Sequence, residues 1–330
     1  MRTLTLRQLR SIQAINEHRT IAAAARQLGL TPPAVTLQVK QLEDDFGLTL
    51  FDRTHEGMRL TAAGSAVLGA ANAIETTLRA LGDEIQAIKG VRSGTIRLGV
   101  VSTAKYFAPR LIAAFRRDYP DIEIRLIVGN RLEIIEQLRA YRLDIALMGR
   151  PPVEFPVEAT VFGDHPLVMI APPDHPLAAA REITRERLLE EPIIIREPGS
   201  GTRAALAIFF GDHPNALETR AAEMGSNETI KQAVMAGLGI AFISAHTIAF
   251  EVETGRLAIL DVSHMPIRRQ WFAVSRKERI PAPVDIAFKE FLMQRGASYL
   301  PLLDRLYPAD AGDAASPQAT GETAGASSPA

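Results

Sequence analysis

Residues 31–43, TPPAVTLQVKQLE, bring together the side-chain types that read DNA. Thr36 and Gln38 offer a hydroxyl and an amide to base edges, Leu37 an isobutyl group to a thymine methyl, and Lys40 an ammonium to a phosphate. Counted at about 100° per residue, Val35, Val39 and Leu42 share one helix face with Phe46, while Pro33, Thr36, Leu37, Lys40 and Gln41 share the other. The first face is core. The second is a poor solvated surface, because nothing on it accounts for an exposed Leu37. Thr31 should cap this helix, and Pro32 and Pro33 fall in its first turn, where missing N–H groups cost little.

A second chemistry is anion binding. Ser102 and Thr103 come after a strand and before a helix, and Gly199, Ser200, Gly201 and Thr202 form a turn that opens another helix. Unpaired N–H groups and the positive dipole end of two such helices, facing one cleft, would hold phosphate or carboxylate. Lys105, Arg150, Arg196 and Arg203 are close enough in sequence to add cationic donors. Asn130, Ser226 and Asn227 are further candidates at helix starts. Each of these groups has a duller reading as a cap, and NRLE at 130–133 has the reciprocal pattern of a capping box.

Catalysis finds no comparable constellation. The sequence has no glycine-rich phosphate loop ending in Gly-Lys and no His-Glu-x-x-His, and three of its seven histidines precede proline in turn contexts. PGSGT lacks the flanks of a serine nucleophile elbow. With no cysteine there is no thiolate nucleophile, disulfide or Cys-ligated metal. The expectation is a binding protein without a metal or a resident cofactor.

The elements that must position these groups can be read from periodicity. Leu6, Leu9, Ile12 and Ile15 give a first amphipathic helix. RTIAAAARQLGL gives a short helix capped by Thr20 and ended by Gly29, so the reading helix is the second arm of a helix-turn-helix. FGLTLFDRTHEGMRLT suits a two-stranded wing turning at 55–57. From Val67 the apolar positions Val67, Ala71, Ile74, Leu78, Leu81, Ile85 and Ile88 alternate spacings of four and three, the pattern of a helix that pairs with a copy of itself or with a neighbouring helix, the duller reading being a helix packed on its own domain. Seven short apolar strands alternate with helices from residue 95 to 274: 95–101, 122–128, 144–149, 166–171, 192–196, 239–244 and 269–274. This predicts mainly parallel sheets in two lobes, with RPPVEFP (150–156) and HMPIRR (264–269) near the crossings. The tail from 308 is low in apolar bulk and should be disordered.

Charge agrees with this division. The whole chain has a formal net charge of -1, yet Arg2, Arg7, Arg10, Arg19, Arg26 and Lys40 face only Glu17 within the first 42 residues, a local excess of about five positive charges. The N-terminus lacks the apolar run of a signal peptide and no stretch is long enough to span a membrane, so the sequence reads as cytoplasmic.

Residues 4–64, above all AAAARQLGLTPPAVTLQVKQLEDDFGLTLFDRTHEGMRLTAAG, resemble the DNA-binding domain of the LysR-type transcriptional regulators. VSTAKYFAPRLIAAF, REPGSGTR and GSNETIKQAVMAGLGIAFISAHTI are similar, within that family, to regulators of the ribulose-bisphosphate carboxylase operon. The resemblance implies an α/β chain with a winged helix-turn-helix at 1–61, a dimerising linker helix at 62–90 and a two-lobed effector domain at 91–307 of the periplasmic-binding-protein type II kind. Lobe I would take about 95–163 and 268–300, and lobe II about 164–267. It implies that Thr36 and Gln38 face DNA, that Lys40 lies near it and that Arg53 meets a phosphate. Where the family often has glutamine and arginine, this chain has Pro32 and Leu37, so those base contacts do not carry over. The implied partners are double-stranded DNA bearing an interrupted inverted repeat, further copies of the chain as a dimer of dimers, and RNA polymerase. The implied effector is a phosphorylated or acidic metabolite of carbon fixation: ribulose 1,5-bisphosphate, phosphoenolpyruvate, NADPH or ATP. Regulation of another metabolic operon is the alternative, with an enzyme or a solute-binding protein further behind.

Overall fold

The computed structural model describes residues 4–88, 93–211 and 221–301. The expected disordered tail and most of the linker segment GVRSG lie outside them.

The N-terminal domain is built on α1 (Leu6–His18), α2 (Ile21–Leu28) and α3 (Pro32–Phe46). Thr5 and Gln8 close a capping box at the start of α1. Gly29 ends α2 in the left-handed region at φ 65°, which a glycine adopts without strain and which lets α3 leave at an angle. Ile12, Ile15, Ala24, Ala25, Val35, Leu42 and Leu50 form its core. Leu6, expected to face inward with Leu9, is instead exposed. The wing is a hairpin of β1 (Phe51–Thr54) and β2 (Gly57–Leu60), with Thr54 opposite Gly57.

A long helix, α4 (Ala62–Ile88), leaves the wing. Its apolar seam divides in two. Val67 and Ala71 pack within the chain, whereas Leu78, Leu81, Ile85 and Ile88 are 39–77% exposed. Another side of α4 lies on the effector half. There Ala80 joins that half's core, Thr76 donates to the Tyr141 carbonyl, and Arg79 meets Asp144 at 2.7 Å. Asp144 also pairs with Arg97 and Arg279. Burial pushes this carboxyl's pKa up, but the guanidinium groups outweigh burial and hold it below the usual carboxylate range.

Among the described residues of the effector half, nine strands form one continuous sheet. Lobe I contributes the parallel strands β3 (Gly94–Val101), β4 (Ile122–Gly129) and β5 (Ile145–Met148). Lobe II contributes β7 (Ile193–Arg196), β8 (Ala221–Met224) and β9 (Ile240–Ser244), also parallel. Two long antiparallel strands, β6 (Val157–Ala171) and β11 (Ile267–Arg276), run through both lobes and join them. The short β10 (Ala258–Ile259) adds to β6. The sequence placed β6 only from 166, because Gly163 and Pro166 interrupt its pattern. Both sit in the ladder, Gly163 opposite Trp271 beside a register shift and Pro166 opposite Arg268.

Helices cover both faces of the sheet. In lobe I, α5 (Ala108–Asp118), α6 (Arg131–Arg139) and α11 (Pro283–Arg295) close a core around Leu98, Phe107, Phe115, Trp271 and Phe288. In lobe II, Leu167 and Met169 face one core and Val168 and Ile170 the other, the period-two alternation of a strand buried on both sides. There α7 (Arg185–Leu188), α8 (Gly201–Phe209), α9 (Asn227–Met235) and α10 (Ala249–Glu253) complete the layers.

Candidate nucleic-acid interface and effector cleft

On α3, Val35, Val39 and Leu42 are buried while Pro32, Pro33, Thr36, Leu37 and Lys40 are exposed, with Leu37 57% exposed. Arg53 is exposed on the wing. Thr36 Oγ1 donates 3.0 Å back to the Pro32 carbonyl, which orients the hydroxyl oxygen outward as an acceptor. Thr31 stands at the N-cap, yet among the described residues its side chain makes no capping bond. Part of the cause is local: Pro33, at N2, removes one of the two N–H groups, those of N2 and N3, that a cap would serve. Gln38 departs from the expectation. It is half-buried, and its Oε1 accepts from the Oγ of Ser11, itself fully buried on α1. Its angular position explains this, about 40° from Leu42 and about 100° from Leu37, at the edge of the core face.

The cleft lies where the sheet's carboxyl ends meet the crossing strands, as open α/β sheets favour. Its cavity is about 220 Å³. Its lining includes Ser102 and Thr103 after β3, and Ser200, Gly201 and Thr202 at the start of α8. Arg131 at the start of α6, Arg150 after β5 and Arg269 on β11 line the same cavity. Burial first, and then the mutual repulsion of these arginines, lower the pKa of Arg269. Arg131 is lowered too, mainly by burial, and its Nε is buried without a hydrogen-bond partner among the described residues. Three guanidinium groups gathered in one cavity, one with an unmet donor, make a site that gains from an anion. His165 on β6 lines the floor, stacked 3.9 Å from the Trp271 ring and 3.1 Å from Ser244 Oγ through Nε2. Burial, His246 and Arg269 hold it neutral.

Ser102, Thr103, Arg150, Ser200, Gly201 and Thr202 are thus brought together as the sequence suggested. Five other candidates are occupied elsewhere, and none is among the described residues lining the cavity. Arg203 pairs with Glu223 and donates to the Arg196 carbonyl instead of lining the cavity. Lys105 lies over the Tyr106 ring. Asn130 and Glu133 form the capping box of α6. Ser226 caps α9. Asn227 is fully buried, and its Oδ1 accepts from Arg196. Arg196 itself is a brace between lobes, donating 3.0 Å to Ser102 Oγ and gripping Glu197 with two nitrogens. Arg131, His165 and Arg269 were missed. The only signals for them were that Arg131 follows the Asn130 cap and that Arg269 ends a segment expected near a crossing.

Residues 6–65 match the family described as bacterial regulatory helix-turn-helix protein, lysR family, and residues 89–297 match the LysR substrate binding domain. This chain belongs to the LysR family of transcriptional regulators. As a member of that family it is a DNA-binding regulator, not an enzyme. The regulator is 60% identical over 311 residues to the HTH-type transcriptional regulator CbbR of Rhizobium meliloti (strain 1021), covering 94% of this chain and 99% of the relative. It is 45% identical over 294 residues to the RuBisCO operon transcriptional regulator of Allochromatium vinosum, covering 89% and 97%. Among solved structures, the CcmR regulatory domain of Synechocystis PCC6803 in complex with 2-PG matches with a TM-score of 0.56 at 37% identity, over 61% of this regulator and 96% of that chain. No described helix is long and apolar enough to cross a membrane.

Proposed function

We propose that the regulator activates a carbon-fixation operon, that of ribulose-bisphosphate carboxylase, in response to a small phosphorylated or acidic metabolite held in the cleft, and that it acts in the cytoplasm. The observation that carries the ligand class is the gathering of Arg131, Arg150 and Arg269 with Thr103 and Thr202 in the lining of one cavity. A cavity of about 220 Å³ lies below the ~300–1,000 Å³ of sites that enclose drug-sized ligands, which favours ribulose 1,5-bisphosphate or phosphoenolpyruvate over ATP or NADPH. The relative from Allochromatium vinosum is named for the RuBisCO operon, and the CcmR domain was solved with 2-PG. Both support this reading.

Two copies joined along Leu78, Leu81, Ile85 and Ile88 would carry two α3 helices to an interrupted inverted repeat, and a dimer of dimers to a longer operator within reach of RNA polymerase. The test is fluorescence anisotropy on labelled DNA from upstream of the neighbouring operon, at fixed salt, with and without ribulose 1,5-bisphosphate. Specific binding that shifts with the sugar phosphate supports both halves. Specific binding indifferent to it, to phosphoenolpyruvate and to 2-PG would sink the ligand assignment and leave a regulator of another operon.

A further inference from the structure

The cleft and the DNA-binding domain are joined by a short run of contacts through one side chain. Helix α6 begins in the cleft with Arg131, and its second residue is tied to lobe II, Leu132 N donating 3.2 Å to the Gly199 carbonyl. Nine residues later, about 13 Å along a rigid helix, α6 ends against the linker helix. There Asn72 Nδ2 donates 2.8 Å to the Ala140 carbonyl. The same amide's Oδ1 accepts 3.0 Å from Gln13 Nε2 on α1. Two residues before Gln13 on that helix, Ser11 donates to Gln38 on α3. Among the described residues of α4, Asn72 alone has side-chain hydrogen bonds to both the DNA-binding domain and lobe I; Thr76 and Arg79 bind lobe I and Glu75 binds only Arg10 of α1.

We propose that Asn72 is the positioning residue through which the state of the effector cleft sets the orientation of the DNA-binding domain. Asparagine suits the place because one short planar amide supplies a donor on one side and an acceptor on the other. An anion that engages the unmet Arg131 Nε draws on the first residue of α6, and the far end of a nine-residue helix must follow. The Ala140 carbonyl then moves against Asn72, and Gln13 carries the shift into α1. A ligand can act this way only by favouring one arrangement of this contact over another.

The proposal rests on the effector-cleft reading above, and a set of single-link variants tests it. Asn72→Asp keeps an acceptor for Gln13 but sets a second oxygen against the Ala140 carbonyl, so it cuts the lobe side alone. Gln13→Ala cuts the DNA-binding side alone. Operator affinity is measured with and without ribulose 1,5-bisphosphate, whose binding to each variant is followed separately by calorimetry. The expected result is that both variants still bind the sugar phosphate within about twofold of the parent, and that in both the ligand-induced change in operator affinity disappears. A merely structural Asn72 would not give the same loss from two different bonds. A retained response in either variant overturns the proposal.

If the parent chain ignores ribulose 1,5-bisphosphate, the ligand assignment fails instead, and the link is read by replacing the ligand with a cleft substitution. Arg131→Ala should then change operator affinity in the parent and not in Asn72→Asp. Effects that are absent, or that multiply to within about twofold as those of independent distant sites do, overturn the proposal.

Discussion

The face proposed to meet DNA comes from one stretch of chain, Thr31 to Lys40, with Arg53 added by the wing, whereas the cleft gathers side chains from β3, β5, α6, β6, α8 and β11 between Val101 and Arg269. Helical period alone decides which α3 residues face outward. Strand order and the two crossings decide which residues meet in the cleft, and neither is a local property. On the proposed reading that face is only half of a working surface, which a second copy completes, while the cleft is lined by residues of one chain.

That last difference gives the largest expected effect. Leu78→Glu combined with Leu81→Glu places charges in the exposed seam and should yield monomers by sedimentation. Operator binding should fall toward its non-specific level, on the order of 10³-fold. Anion binding in the cleft should survive. Intact dimers, or loss of cleft binding with them, would break the contrast.

His165 in the cleft lining and His246 beside it form a buried pair that gives the effector half its own pH dependence. Burial depresses His246 from 6.5 to about 4, and His165 is lowered as well. The unfolded chain therefore takes up protons below about 6.5 that the folded chain refuses. The contribution of His246, about 3 kcal/mol, is full above that pH, is lost as pH falls toward 4 and is flat below it. His246→Gln keeps an acceptor for Trp271 Nε1, which now donates 3.0 Å to His246 Nδ1. Its melting temperature should fall less between pH 7 and 4.5 than the parent's, and parallel profiles would remove His246 as the cause.

At the two sites themselves, substitutions should separate. Thr202→Val, or equally Thr103→Val, should blunt the metabolite response by about 1–3 kcal/mol of ligand affinity while operator affinity without ligand stays unchanged. Thr36→Ala should cost a similar ~1–3 kcal/mol at the operator and almost nothing on random DNA, because it removes a base-edge contact and leaves the phosphate contacts in place. Equal losses on both DNAs would mean that Thr36 reads no base.

The same division explains what was legible in the sequence. The helix-turn-helix, wing, linker helix and strand alternation rest on local period and turn chemistry, and all appear in the fold. In the cleft, nearness in sequence was a weak guide. Arg203 follows the Gly199 turn directly yet turns outward to Glu223, while Arg269 comes from the far end of the chain through β11. Strand β8 was missed because AAEM carries too little apolar pattern, and it is a strand through its pairing with β7. Arg131, the cleft's unmet donor, looked like one more residue of a capped helix.

Gln38 gives the smallest effect and the sharpest test of that explanation. Residue type placed it among the base readers; angle places it at the margin of the core, where its carbonyl holds the Ser11 hydroxyl. Gln38→Ala would leave that buried hydroxyl unpartnered at a cost of about 1 kcal/mol, seen as a lower denaturation midpoint with unchanged slope. Relative affinities for operators altered one base pair at a time should match the parent's. A changed base preference would mean that the reading face wraps further around α3 than the helical period allows, and that residue type was the better guide there.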